Sequence, residues 1–245
     1  MRVLYVCTAN ICRSASAQQM LREAVASAPE LAGIEVNSAG TAAMEGAVGC
    51  SVAPALAGHS LEHRSQPLTA ELLAWADLIL PAARDHRRAI LEMDPNSRDR
   101  TLTVRQAGRI ADWLVGTGMA AAARDRGRGR EGAAAWDERF PPGDARRDVQ
   151  ALPDDLPQRW LWLVSEMDAA RGMAGVPLGA EPDPSVPRRR SRLGRPGRSD
   201  PSPAHPDDIP DPHVLGMGLH ALAYEQIASS TDALVRLLRE VASPT

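Results

Sequence analysis

The sequence predicts an α/β domain of three layers, α/β/α, around a short four-stranded parallel sheet. Two observations carry that expectation. Short apolar runs alternate with stretches of helical periodicity, the pattern of βαβ units whose strands are covered on both faces. The first of these runs, Val3-Leu4-Tyr5-Val6-Cys7, leads through a tight loop into an Ala-rich helical stretch.

Taken in order, residues 2–7 read as a buried strand. Residues 14–28 read as a helix with Ala17, Met20, Leu21, Ala24 and Val25 on one face. Ile34 to Ser38 form a second strand, followed by the glycine hinge of Ser38-Ala39-Gly40-Thr41. Cys50 to Leu56 suit a short helix, and Thr69 to Ala76 a helix opened by a capping threonine. Asp77 to Leu80 make a third strand and Arg84 to Met93 a helix after it. Arg100 to Val104 suit a fourth, short strand, and residues 105–115 a further helix. The pattern then changes. Residues 124–130 are charged and glycine-rich, Leu156 to Met173 are helical, and residues 175–206, rich in Pro, Arg, Ser and Gly, read as disordered or as a long loop. Order resumes at Asp207-Asp208-Ile209-Pro210-Asp211-Pro212, and an amphipathic helix runs from about Leu219 to Val241. The predicted organisation is a domain begun by residues 1–115, interrupted by a helical and partly disordered insertion at 116–206, and completed by 207–245.

Composition narrows the class. The 245 residues carry a net charge of −3, so charge alone does not call for nucleic acid. All fixed basic side chains are arginine, and with five Trp, two Tyr and one Phe the core must be built from Ala, Leu, Val and Ile. Three cysteines, Cys7, Cys12 and Cys50, are an odd count and no disulfide framework, which favours a reducing compartment. The run Val3 to Val6 is too short for a signal peptide, and no apolar stretch approaches the ~20 residues of a membrane helix. The expectation is a soluble, cytoplasmic protein without membrane or nucleic-acid partners.

The segment from Cys7 to Ser14 carries the chemistry. A strand, a tight loop and a helix start make a cradle for a tetrahedral oxyanion, with a thiol at its base. Loop amides and the helix N-terminus favour an anion there, and the same field favours the thiolate of Cys7, the nucleophilic form. Arg13 offers a planar fork for two oxygens. Ser14 is placed to donate to the thiolate or to cap the helix. A leaving oxygen needs a general acid, worth ~10²–10⁴-fold in rate. Asp211, held between two prolines, is the best candidate; read by itself, it is an ordinary turn carboxylate.

Cys7-Thr8-Ala9-Asn10-Ile11-Cys12-Arg13-Ser14, Ser38-Ala39-Gly40-Thr41, His63-Arg64-Ser65, Ala76-Asp77-Leu78-Ile79-Leu80 and Asp211-Pro212 occur in this order. Together they resemble the low-molecular-weight protein tyrosine phosphatases, well over residues 1–110 and moderately over 207–242. Residues 116–206 have no counterpart in the compact members. The resemblance implies that Cys7 attacks phosphorus and forms a cysteinyl-phosphate. Arg13 and the amides of residues 8–13, from Thr8 and Ala9 through Asn10, Ile11 and Cys12, hold the equatorial oxygens. It implies that Asn10 braces the loop, that Ser14 stabilises the thiolate, and that Asp211 acts as acid and then base. His63 matches a position that buttresses the loop, and Ser38 belongs with the same support. Cys12 is either a partner for Cys7 in a reversible disulfide or a small packing residue. No metal or cofactor is implied; the partner is a phosphorylated protein carrying phosphotyrosine, and the chain a monomer or weak dimer.

Some residues depart from the family pattern. Ala9 stands where glycine is frequent, Ala15 and Gln18 where proline and glutamate are usual, and His213 where an aromatic follows the Asp-Pro pair. The loop after Thr41 reads Ala42-Ala43-Met44, without an aromatic, so the pocket is expected to grip a phenyl ring less through aromatics. Three alternatives stand beside the phosphatase reading. An oxyanion-binding module would keep the cradle without turnover. An arsenate reductase would need relay cysteines, and Cys50 is the only cysteine outside the loop. A protein-arginine phosphatase tends to carry Thr in place of Ile11. His59, His86 and His220 read as surface residues, and the Trp and Met residues of 156–173 as core or interface. The Arg-rich runs at 124–130 and 187–198 read as solvated linkers rather than docking sites.

Overall fold

Strand β1 (Arg2–Cys7) is the centre of a parallel sheet, flanked by β2 (Glu35–Gly40) and β3 (Leu78–Pro81) in the order β2-β1-β3. The computed structural model describes residues 1–52, 55, 62–127, 129, 138, 150–175, 205–215 and 219–243. Val3 pairs with Val36 on one side and Leu78 on the other, which sets the register of both ladders. Because both faces of β1 are covered, it reads as an unbroken apolar run rather than an alternating one.

The alternation survives in where its side chains go. Val3 and Tyr5 join Leu21, Val36, Leu78 and Leu80 in the larger core, under α1 (Arg13–Ala26), α4 (Val104–Thr117) and α8 (Leu219–Ala242). Leu4 and Val6 join Ala39, Ile79, Leu73 and Ile90 in the smaller one, under α2 (Ala70–Trp75) and α3 (Arg84–Met93). Thr69 caps α2 by accepting from the Leu72 amide, as its position predicts.

Among the described residues the sheet has three strands, not the four expected. Residues 95–100 coil into a 3₁₀ turn, and Thr103 caps α4 by accepting from the Gln106 amide. Only Thr101 and Leu102 are left extended between them. They make a single parallel bridge from Ile79 to Thr101, with the Leu102 amide donating to Ile79 O at 3.1 Å. The β-branched composition of residues 100–104 is real, but two helix caps consume its ends.

The first part of the Arg-rich run is not a solvated linker: Arg124 to Gly127 end a helix, with Arg124 bonded to Glu240 O, and the segments on both sides pack into the main core. Helix α5 (Met119–Gly127) buries Ala120 and Ala123, and α6 (Leu156–Ala169) buries Trp160, Leu163 and Met167 against the same cluster as Leu237 and Leu238. The Trp and Met side chains of α6 are thus core residues, although Leu161 is exposed. Arg159, also buried, donates to Val241 O (3.2 Å) and Ser243 O (3.0 Å), satisfying carbonyls at the end of α8 where a cation suits the helix dipole. The short helix expected over Cys50 to Leu56, and the Pro/Arg-rich stretch of 175–206, lie largely outside the described residues.

Helices α4 and α8 meet at Gly108. A Cβ there would sit 2.8 Å from the Ser230 Cα, so the two backbones touch where glycine leaves room. Gly108→Ala is therefore expected to destabilise the fold by about 1–3 kcal/mol, because overpacking outweighs the ~1 kcal/mol that alanine gains in helix propensity. Urea unfolding measures this; a variant more stable than the parent would contradict the close approach.

Candidate active site

The loop between β1 and α1 is shaped by one residue. Asn10 is the only described non-glycine residue with a positive φ, +54°. Asparagine tolerates that left-handed geometry better than other L-residues, and here its side chain holds it in place. Nδ2 donates to Ser14 Oγ (2.9 Å) and Ser38 Oγ (2.8 Å), and Oδ1 accepts from the Gln66 amide (2.9 Å). His63 Nε2 donates to the Asn10 carbonyl (2.8 Å) and lies 3.2 Å from Oδ1. Asn10 and Ser38 are fully buried.

The thiol lies at the base of this loop. Cys7 Sγ is 3.0 Å from Ser14 Oγ and accepts from the Asn10 amide at 3.3 Å. Of the two roles open to Ser14, the structure brings its hydroxyl to the sulfur; the helix start at Cys12 has no side-chain cap. The end of β2 presses close from the side. A Cβ on Gly40 would meet Thr8 O at 2.5 Å and Asn10 N at 2.9 Å, so only glycine permits the approach. The next residues then tie to the loop, Thr41 N to Cys7 O and Ala42 N to Thr8 O, both at 2.9 Å.

Arg13 is buried, and its fork reaches the far end of the chain. Nη1 donates to Ile209 O (3.2 Å), and Nη2 donates to Asp211 Oδ2 (2.6 Å) and Thr8 Oγ1 (3.2 Å). Residues 207–211 are held for this contact by three further anchors. Asp207 pairs with Arg109, Asp208 accepts from the Arg84 amide and pairs with its guanidinium, and the Ile209 amide donates to Ala82 O at 2.9 Å. Asp211 also accepts from the His213 amide, an Asx-type turn at 3.1 Å.

Two histidines read as surface residues are buried. His86 is 7% exposed, with Nε2 2.9 Å from Thr8 Oγ1, and His220 is 1% exposed at the start of α8. His59 lies outside the described residues. Burial, with Arg13 adding repulsion, pushes His86 down to about 3, and burial also lowers His63. His86 and Gln66 belong to the site without having been read from the sequence. The signal for His86 was its place just after β3, at the carboxyl end of the strands where α/β sheets bind ligands. Gln66 carried no signal beyond following His63-Arg64-Ser65. Cys12 is buried beside Cys50, whose amide donates to Ile11 O at 2.6 Å. Burial, then Cys50, pushes the Cys12 thiol up to about 12. All three cysteines are free thiols.

Fold and loop together define a class, the cysteine-dependent phosphate monoester hydrolases, whose cradle needs a thiol facing a cationic fork. Comparison places the chain within it. The profile of the family described as low molecular weight phosphotyrosine protein phosphatase matches residues 2–111. A protein-arginine-phosphatase of Geobacillus stearothermophilus is 36% identical over 123 residues, 47% of this chain and 80% of that protein. The low molecular weight protein-tyrosine-phosphatase Etp of Escherichia coli K12 is 35% identical over 104 residues, 41% of this chain and 66% of that one. Among solved structures, the G. stearothermophilus arginine phosphatase superposes with a TM-score of 0.51 at 20% identity, covering 97% of this chain and 92% of that one. The Erwinia amylovora tyrosine phosphatase gives 0.50 at 16% identity, covering 96% and 91%. These structural matches establish the fold. The chain belongs to the low molecular weight phosphotyrosine protein phosphatase family, a family of cysteine-dependent hydrolases, and membership implies phosphoprotein substrates. No helix among the described residues is long and apolar enough to cross a membrane.

Two expectations test this geometry. Asn10→Ala strands several buried partners, at about 1–3 kcal/mol per unsatisfied group, and should weaken vanadate binding more than tenfold. Calorimetry and urea unfolding read both effects. The histidines predict a pH dependence. Unfolded, His86 takes a proton below its ordinary 6.5; folded, it resists down to about 3. Stability is therefore full above pH 6.5 and is lost as pH falls toward 3. His86→Gln should flatten that slope in unfolding curves.

Proposed function

We propose that the protein hydrolyses phosphotyrosine in proteins through a covalent phosphate on Cys7. The observation that carries this reading is the meeting of Cys7, Arg13 and Asp211 in one cradle, although Asp211 lies 198 residues from Arg13 in sequence. Substrate phosphate enters over Cys7, and Arg13 with the loop amides of Thr8 to Cys12 takes its equatorial oxygens. The thiolate attacks phosphorus and the bond to the leaving oxygen breaks, Asp211 giving that oxygen its proton. Ser14, hydrogen-bonded to the sulfur, steadies the thiolate as it forms again. In the second half Asp211 takes a proton from water, the water oxygen attacks phosphorus, and the S–P bond breaks to release inorganic phosphate. Charge stabilisation comes from the arginine and the amides, so the route calls for no metal or cofactor. Asn10, Ser38 and His63 act through loop shape.

The ion pair between Arg13 and Asp211 has a kinetic consequence. Entering phosphate competes with the Asp211 carboxylate for Nη2, and the acid is displaced toward the leaving group as the fork turns to the anion. We place the chain in the cytoplasm, in keeping with its free thiols, as a monomer or weak dimer, and take residues 116–206 as an insertion within the phosphatase domain.

Phosphoarginine is the second reading, favoured by the arginine phosphatases of G. stearothermophilus and Bacillus subtilis, the latter 34% identical over 111 residues. A kcat/KM comparison on phosphotyrosine and phosphoarginine peptides separates the two, and preference for phosphoarginine would reject the aryl-phosphate reading. On an aryl phosphate at mildly acidic pH with chelator, Cys7→Ser should be inactive. Asp211→Asn should turn over ~10²-fold more slowly or worse. It should also bind vanadate more tightly than the parent, because the competing carboxylate is gone. An active Cys7→Ser enzyme would end the covalent mechanism.

A further inference from the structure

Beside the cradle, four side chains that the reaction does not use as acid, base or nucleophile converge from four segments. They are Cys12 at the end of the loop, Cys50 beyond β2, His213 in the turn after Asp211 and His220 at the start of α8. Their ligating atoms all lie within 4.8 Å of one another. The rings of His213 and His220 meet edge to face with centroids 4.9 Å apart. We propose that these four residues form a Zn²⁺ site that fastens the phosphate-binding loop to the turn after Asp211.

The donor set selects the metal. Two thiolates and two imidazoles in a tetrahedral arrangement suit zinc and exclude the hard cations magnesium and calcium. Tetrahedral Zn–S and Zn–N bonds of about 2.3 and 2.0 Å place ligand atoms roughly 3.3–3.8 Å apart. With every pair inside 4.8 Å, the cluster lies within about 1.5 Å of the spacing of a filled site. Exposed His213 and half-buried Cys50 can supply that contraction. Cys12 (4% exposed) and His220 (1%) form the dry interior, and the other two form the entrance. The chemistry balances without a redox partner: each thiol gives up its proton to solvent, and the two thiolates neutralise the two charges of the metal. No net charge is added beside Arg13. Both thiols must lose their protons to bind the metal, so zinc binding should weaken as pH falls.

The experiment uses the full chain, held reduced with a phosphine and stripped of metal. Zn²⁺ is titrated against a chromophoric chelator, and Co²⁺ is added as a spectroscopic probe. One Zn²⁺ per chain is expected, with tetrahedral cobalt bands, a thiolate-to-cobalt charge-transfer band and a melting temperature that rises with zinc. Cys50→Ala and His213→Ala, neither in the fully buried half of the cluster, should each weaken binding by about tenfold or more, by comparison with losses of outer-shell partners. Cys7→Ser should bind zinc like the parent. Absence of the thiolate band overturns the proposal, as does parental affinity in either the Cys50 or the His213 variant. Loss of binding in Cys7→Ser would put the metal on the cradle's own thiol and overturn it equally.

Discussion

The active loop depends on the side chain of Asn10. A left-handed residue with a Cβ costs about 1–2 kcal/mol, and the loop turns around the sulfur through one, Asn10. Asn10 offsets that cost with its own amide group, which bonds to the helix through Ser14, to β2 through Ser38 and to the following segment through Gln66. Each buried hydrogen bond nets only about 1 kcal/mol, but leaving its partners unpaired would cost more. One residue therefore joins three elements, and the amide that it turns inward donates to Cys7 Sγ. The glycine at the end of β2 and the imidazole of His63 are fitted to that shape.

The second half of the site is imported from the other end of the chain. Burying Arg13 would be costly without partners. It finds them in the Ile209 carbonyl, the Thr8 hydroxyl and the Asp211 carboxylate. The short segment that delivers Ile209 and Asp211 has no regular secondary structure up to Pro212. It is held by the paired carboxylates of Asp207 and Asp208 and by the Ile209 amide at the end of β3. The same guanidinium thus pairs with the Asp211 carboxylate at the mouth of the loop, and in the mechanism we propose an entering anion would compete for it. Helices α5 and α6 contribute from a distance, by completing the core on which α8 lies.

Much of this was legible without coordinates. The strand, loop and helix around Cys7 are contiguous in sequence, so residue type and spacing determined the cradle, and each resembling motif was itself local. Helices were legible over 84–93, 105–115 and about 219–241, and the structure forms them at 84–93, 104–117 and 219–242. The fourth strand failed because five residues of strand composition were contested by a turn before them and a helix cap after them, a competition settled by packing. His86 and His220 were misplaced because a histidine in a helix carries no mark of which face is buried. Here one face meets the carboxyl ends of the strands and the other meets α7 (Pro212–Leu215) and the loop.

By itself, then, the sequence determined the layer architecture and named Cys7, Arg13 and Asp211 as the candidate nucleophile, anion fork and acid, since these reside in local patterns and in a few residue types with one dominant chemistry. Only the tertiary structure decided that Asp211 closes on Arg13, that Ser14 turns to sulfur rather than capping, and that Cys12 lies near Cys50 and two histidines. Those outcomes rest on contacts between segments up to 208 residues apart, from Cys12 to His220. Long-range proximity is set by how the cores of both sheet faces are filled, and no single segment encodes it.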